Sequence, residues 1–151
     1  MATSTAPPQP AAADAQRVNQ VRVAVMRLSR RLRNQGNVGI TPSQLAVLGT
    51  LERTGPMTLG QLAEAEAVQP PSMTRIVNAL AEAGLVQREA RAGDRRSIEV
   101  ALARPGRRAL ESIRAHRNTW LLERVQGLTE AERIDLWRGV SAIERLLEDR
   151  R

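Results

Sequence analysis

The sequence predicts a mainly α-helical fold that carries one small β-hairpin. Apolar residues recur at steps of three and four in several stretches of the chain, which is the spacing of one helix face. After Gly84 the pattern changes, because Ile98, Val100 and Leu102 alternate with polar or small residues as in a half-buried strand. The chain has two Trp and no Phe or Tyr. Its core must therefore consist mainly of aliphatic side chains, which favours packed helices over a large sheet.

Three helices are expected to begin at threonine residues. In a capping box, a Thr hydroxyl accepts a hydrogen bond from the backbone N–H three residues later, and a Gln or Glu at that position bonds back to the Thr N–H. This spacing occurs at Thr41 and Gln44, at Thr58 and Gln61, and at Thr129 and Glu132. A further helix is expected from Pro70 up to Gly84, because proline is accepted in the first turn of a helix.

The helices nearest the two ends of the chain are expected to carry single apolar stripes. One stripe comprises Val18, Val21, Val25, Leu28 and Leu32, and the other comprises Leu136, Val140, Ile143 and Leu147. Between them, a short helix, a short link and a longer helix are followed by the hairpin. This order is that of a helix-turn-helix with a β wing.

The composition indicates a polyanionic partner and leaves little material for catalysis. The net charge is +7 and all 23 basic residues are Arg, a balance that attracts nucleic acid through counterion release. There is no cysteine, and the one histidine is His116, so disulfides, thiolate chemistry and a structural zinc site are not expected. We therefore predict that the protein is not an enzyme and uses no cofactor or metal. No apolar run has the length of a membrane span, which predicts a cytoplasmic protein without a membrane partner.

Candidate DNA contacts lie on the helix from Pro70 and on the hairpin. The polar face of that helix carries Ser72, Thr74, Arg75 and Asn78, and the hairpin carries Arg88, Arg91, Asp94, Arg95 and Arg96. Arg can bond guanine, and Asn adenine, through two hydrogen bonds each, while an Arg-rich hairpin tip fits a minor groove. Polar faces also occur on any amphipathic helix, and Asp94 with Arg96 could form an ordinary surface ion pair.

These motifs resemble the winged helix of the multiple-antibiotic-resistance-regulator (MarR) family. The resemblance rests on Leu59, Leu62 and Ala63, on residues 72–77, on residues 80–88, and on the wing motif of residues 94–97. It covers residues 14–149, and it implies that Asp94 orients Arg96 toward the minor groove. The sequence departs from the family at Ala103, where the family has a capping Thr, and at the tandem Pro70 and Pro71, which remove two backbone donors.

The resemblance also implies how the chain is organised. We expect a disordered tail over residues 1–13, a helical dimerisation region formed by 14–40 and 104–151, and a winged helix-turn-helix DNA-binding domain over 41–103. A two-fold dimer would place recognition helices one DNA turn apart, about 34 Å. The two tryptophans could be anchors of the interface or part of the intrachain core; they are Trp120 and Trp137.

The expected function is that of a homodimeric transcriptional regulator, a repressor, which binds double-stranded DNA at a palindromic operator. The resemblance implies release by a small phenolic or anionic effector in a cleft that Met26, Arg30 and Trp120 could line. The alternative is a winged-helix module that binds protein partners and lacks specific DNA binding. The Arg-rich wing discriminates between the two, because a protein-interaction module does not require it.

Overall fold

The computed structural model describes residues 12–36, 39–91 and 94–148, with the side chains of residues 12, 90–91 and 94–97 outside the described part. The elements are α1 (Ala12–Arg33), α2 (Pro42–Thr54), β1 (Met57–Thr58), α3 (Leu59–Ala65), α4 (Pro70–Glu82), β2 (Val86–Arg91), β3 (Asp94–Leu102), α5 (Arg104–Gln126) and α6 (Glu130–Leu147). The chain divides into two compact units, residues 1–34 and 35–151. Among the described residues, no helix combines the length and the apolar character that a bilayer crossing requires.

The first unit contains α1. Its expected apolar stripe is present, but most of the stripe is exposed within this unit, from 42% at Leu28 to 67% at Val18. Asp14 lies in the first turn and Arg30, Arg31 and Arg33 in the last turn, charges that complement the helix dipole. Residues 1–11 of the predicted tail lie outside the described residues, whereas residues 12–13, also predicted as tail, are helical and belong to α1.

The three predicted capping boxes are confirmed in the second unit. At α2, for example, Thr41 Oγ1 accepts from Gln44 N at 3.3 Å and Gln44 Oε1 accepts from Thr41 N at 2.8 Å. Complete boxes also open α3 at Thr58 and α6 at Thr129. The predicted start of α4 at Pro70 is confirmed as well, and its N-cap residue Gln69 makes no side-chain cap.

The hydrophobic core of the second unit joins the helix-turn-helix to the sheet. Its fully buried side chains come from α2, α3, α4 and β3, and the largest of them are Leu48, Leu51, Leu62, Met73, Leu80, Val47, Val77 and Val100. Burying one such side chain stabilises the fold by about 1.5–3 kcal/mol. The core therefore fixes the helix-turn-helix before any DNA is present.

The β-hairpin is part of a three-stranded antiparallel sheet of order β1-β3-β2. Strand β2 pairs with β3 from Val86 opposite Leu102 up to a register shift between Ala90 and Arg91. Residues 92–93, which separate β2 from β3 in the sequence, lie outside the described part. The sequence did not predict β1, a two-residue strand that pairs with β3 at Met57 opposite Val100.

The expected inward face of β3 is only partly correct. Val100 is fully buried, but Ile98 is 55% exposed and Ala101, on the opposite face, is buried. The base of β3 is covered on both sides, whereas Ile98 lies farther along the hairpin. Alternation predicts which side chains share a face, but it does not say how far along a strand the core reaches.

Helix α5 begins without a side-chain cap, as the alanine at its N-cap position predicts. Ala103 donates its backbone N–H to Leu85 O at 3.1 Å instead. The first turn approaches the same carbonyl so closely that a Cβ on Gly106 would lie 2.1 Å from Leu85 O. The start of α5 is therefore joined to the corner between α4 and β2 by backbone contact.

Candidate nucleic-acid interface

Helix α4 presents a polar face opposite its buried face. Met73, Val77 and Leu80 are fully buried, so the residues between them turn outward. The predicted contacts on this helix are all exposed: Ser72, Thr74, Arg75 and Asn78. The structure thus brings them to one surface, on the helix that the motif assigns to DNA recognition.

The exposed residues of α4 differ in how many of their polar groups are already used. Thr74 Oγ1 donates to Pro70 O at 3.0 Å and retains its acceptor capacity. The backbone N–H of Ser72 donates to Gln69 O at 2.9 Å. Arg75 makes no side-chain hydrogen bond or ion pair with any residue of the described part. None of its five N–H donors is therefore used within that part.

The turn that leads into α4 is tightly hydrogen-bonded. Glu66 N donates to Leu62 O at 3.0 Å and Val68 N donates to Ala63 O at 2.9 Å. Between them, Ala67 has a positive φ of 51°, a left-handed conformation that costs an L-residue about 1–2 kcal/mol. This conformation turns the chain from α3 into α4 within a few residues.

A buried hydroxyl on α2 connects to this turn. Thr50 is the one polar residue that is buried among the described residues, with 4% of its surface exposed. Its Oγ1 donates to Glu66 Oε1 and accepts from Arg53 Nη2 at 2.9 Å. The contact fixes the residue just before Ala67, and so it helps to set the direction in which α4 leaves the turn.

Helix α4 is linked to the wing by a side-chain hydrogen bond. Arg88, on β2, donates from Nη2 to Asn78 Oδ1 on α4. The next acidic residue, Glu89, accepts from Gln87 instead. Two of the predicted DNA contacts therefore bond to each other, across ten residues of sequence.

The remaining predicted contacts belong to the hairpin. The structure places the backbone of Arg91 in β2 and that of Asp94, Arg95 and Arg96 in β3, with Arg91 opposite Asp94. The side chains of all four lie outside the described part. Their roles in DNA binding stay predictions.

A carboxylate–guanidinium pair joins α2 to α5. Arg114 bonds both carboxylate oxygens of Glu52, with Nη1 to Oε1 at 3.0 Å. This hydrogen bond holds the pKa of Glu52 below its usual value, and the charges of Arg114, Arg107 and Arg53 act in the same direction against partial burial. The pair raises the pKa of Arg114 in turn.

Sequence reasoning missed these structural contacts. Neither Thr50 with Glu66 nor Glu52 with Arg114 has a helical spacing, since the partners are 16 and 62 residues apart. The residues of the described ranges contain no group of three or more His, Cys, Asp or Glu that could hold a metal ion.

Comparison with known proteins agrees with this geometry. Residues 40–98 match the model of the MarR family. The uncharacterized HTH-type transcriptional regulator ML2140 of Mycobacterium leprae is 37% identical over 137 residues, 90% of this chain and 96% of that protein. A putative transcriptional regulator from Pseudomonas aeruginosa has a similar structure, with a TM-score of 0.79, 32% identity, and coverage of 93% of this chain and 99% of that one.

A further similar structure contains nucleic acid. It is a single-residue mutant of Staphylococcus aureus MepR bound to an oligodeoxyribonucleotide, with a TM-score of 0.69, 18% identity, and coverage of 87% of this chain and 97% of that one. At this identity the likeness establishes the shared fold.

The two capped helices of the motif, the recognition-type helix with its outward polar face and the antiparallel wing define a winged helix-turn-helix protein. The match of the family model and the likeness to ML2140 over most of both chains identify the family of winged helix-turn-helix proteins to which the chain belongs. The chain belongs to the MarR family, whose members are transcriptional regulators and not enzymes.

Proposed function

We propose that the protein is a cytoplasmic, homodimeric transcriptional repressor that binds a palindromic operator through α4 and the wing. The observation that carries the proposal is the outward polar face of α4, held against a core of buried side chains on its other face. The proposed contacts are the predicted ones: Ser72, Thr74, Arg75, Asn78, Arg88, Arg91, Asp94, Arg95 and Arg96. The MepR complex with an oligodeoxyribonucleotide supports DNA as the ligand of this fold.

In this proposal Arg75 is the residue that contacts base edges. Its side chain is exposed on α4 and has no partner in the described part of the chain, so binding breaks no bond within that part. A guanidinium can donate two hydrogen bonds to guanine O6 and N7, which is worth about 1–3 kcal/mol of discrimination. The wing contributes charge, with Asp94 orienting Arg96 toward the minor groove as the family resemblance implies.

A second copy of the chain is proposed to cover α6. Helix α6 buries none of its residues. Its apolar side chains are exposed: Ile134, Leu136, Trp137, Val140, Ile143, Leu146 and Leu147. Four of them, Leu136, Val140, Ile143 and Leu147, share one stripe by helical spacing. Exposed apolar surface of this kind marks an interface, and a two-fold interface would also set the spacing of two α4 helices on DNA.

The proposal is tested on the DNA that adjoins the protein's own gene. A footprint there defines the operator, and fluorescence anisotropy then compares an operator duplex with a scrambled duplex at several salt concentrations. The wild type should be a dimer by analytical ultracentrifugation and should prefer the operator by about 10³-fold or more. A small phenolic or anionic compound that is an effector should lower this preference.

Two substitutions separate the proposed roles. Arg75→Ala should weaken operator binding by about 5- to 150-fold and relax the preference at one base pair. Arg75→Lys, the charge-matched control, should keep the salt dependence but lose part of that preference. Arg96→Ala should weaken binding to both duplexes and reduce the salt slope by about one. A monomer at micromolar concentration, or equal affinity for both duplexes, would refute the proposal and favour a protein-binding module.

A further inference from the structure

We propose that Asn78 reads no base and acts as a positioning residue that holds Arg88 for a DNA phosphate. This inference rests on the proposed function and concerns the division of labour within its contact surface. It follows from the hydrogen bond in which Arg88 Nη2 donates to Asn78 Oδ1, between the recognition helix and the wing strand.

Reading a base would occupy both ends of the Asn78 amide. An asparagine reads adenine with both ends of its amide, since Oδ1 accepts from N6 and Nδ2 donates to N7. In the protein without DNA, Oδ1 already accepts from a guanidinium. The amide plane is therefore set by Arg88 before DNA binds, and reading adenine in the usual way would require one amide orientation to suit both the guanidinium and the base.

The bond to Asn78 also restricts the side chain of Arg88. An arginine side chain has many rotamers, and fixing one on binding costs about 2- to 10-fold in affinity. Asn78 fixes the guanidinium before DNA arrives and occupies only one of its five N–H donors. The other donors remain for phosphate oxygens at the junction of α4 and β2.

The charge of Arg88 also suits a phosphate contact. The partner of Arg88 is a neutral amide, so this bond places no negative charge against the guanidinium. Glu89, the adjacent carboxylate, is bonded to Gln87 instead. Because the Asn78 amide is neutral, it does not lower the charge of the Arg88 guanidinium. This suits a contact whose role is to attract phosphate.

Arg75 provides the contrast within the same helix. It lies one turn before Asn78, is exposed, and has no side-chain partner in the described part of the chain. A base-reading side chain has to adapt to the edge it meets, whereas a phosphate anchor gains from being fixed. Helix α4 thus carries the proposed reader, Arg75, and one turn later Asn78, the residue that fixes the anchor Arg88 on β2.

A double-mutant cycle tests the inference on the full-length protein. Asn78→Ala, Arg88→Ala and the double variant are measured by anisotropy against the operator duplex, a scrambled duplex and single base-pair variants of the operator. Arg88→Ala should weaken binding to operator and scrambled DNA by the same factor and reduce the salt slope by about 0.9. Asn78→Ala should weaken both by about 2- to 10-fold with the salt slope kept, and it should have no further effect once Arg88 is absent.

The control is Asn118→Ala, which removes an exposed asparagine of α5 that is not among the proposed DNA contacts; binding should stay within twofold of wild type. The inference is overturned if Asn78→Ala relaxes the preference at one base pair, or if its effect persists unchanged in the Arg88→Ala background. Failure of the wild type to prefer operator over scrambled DNA would instead refute the proposed function. Circular dichroism of each variant shows whether a loss of binding comes from unfolding.

Discussion

Replacing Gly106 with alanine should destabilise the protein more than any other glycine-to-alanine change in a described helix. A Cβ at this position would lie 2.1 Å from Leu85 O and 2.8 Å from Leu102 Cδ1. Carbon and carbonyl oxygen atoms normally approach no closer than about 3.3 Å, so the Leu85 carbonyl would have to retreat by about 1.2 Å. The carbonyl belongs to the backbone, and no rotamer change can move it.

The expected cost has two parts. Overpacking of a well-filled site costs about 1–3 kcal/mol. Moving Leu85 O also lengthens its hydrogen bond from Ala103 N, now 3.1 Å, which is worth about 1 kcal/mol. The sum of about 2–4 kcal/mol corresponds to a drop in melting temperature of about 4–16 °C for a chain of this size.

Thermal unfolding followed by circular dichroism checks the value, at one fixed protein concentration because dimer stability depends on it. Gly60→Ala in α3 is the matched control, since its Cβ would meet only Thr58 Oγ1, at 4.0 Å. That variant should be as stable as wild type or more stable, by up to about 1 kcal/mol of helix propensity. Equal melting temperatures for the Gly106 and Gly60 variants would refute the argument from close approach.

Two further predictions concern the turn and the ion pair. Ala67→Gly should raise stability by up to about 1 kcal/mol, because glycine adopts the positive φ of 51° without strain; chemical denaturation checks this, and a lower midpoint would contradict it. The pKa of Glu52 is lowered in the fold by Arg114, so its stabilisation is present above the unfolded pKa, about 4.3, and is lost as pH falls below that value. Glu52→Gln should therefore flatten the decline of melting temperature below about pH 4.3, and an unchanged acid profile would contradict the assignment.

The parts of the fold that the sequence predicted are those set by neighbouring residues. A capping box joins residues three positions apart, so Thr41, Thr58 and Thr129 could be recognised without knowledge of the fold. The polar face of α4 follows in the same way from helical spacing. The missing cap at Ala103 was expected from the family resemblance, because the family has a capping Thr at this position.

The parts that the sequence did not predict depend on pairing over long distances. Strand β1 has two residues, and only its partner β3 makes it a strand. The buried hydrogen bond of Thr50 needs α2 to pack against the end of α3, and Thr50 by itself looks like an ordinary helix residue. Asn78 and Arg88 were each predicted as DNA contacts, but their bond arises from the corner between α4 and β2.

The Thr50–Glu66 and Asn78–Arg88 hydrogen bonds explain how α4 is supported. Before α4, Thr50 fixes the turn through Glu66, and on its third turn Asn78 is joined to Arg88 of the wing strand. Between the two supports lies Arg75, which is exposed. Since the core already holds the buried face of α4, the supports act mainly on its direction and on its link to the wing. Substitutions at the supports should therefore change affinity for all DNA, and substitutions at Arg75 should change which DNA is preferred.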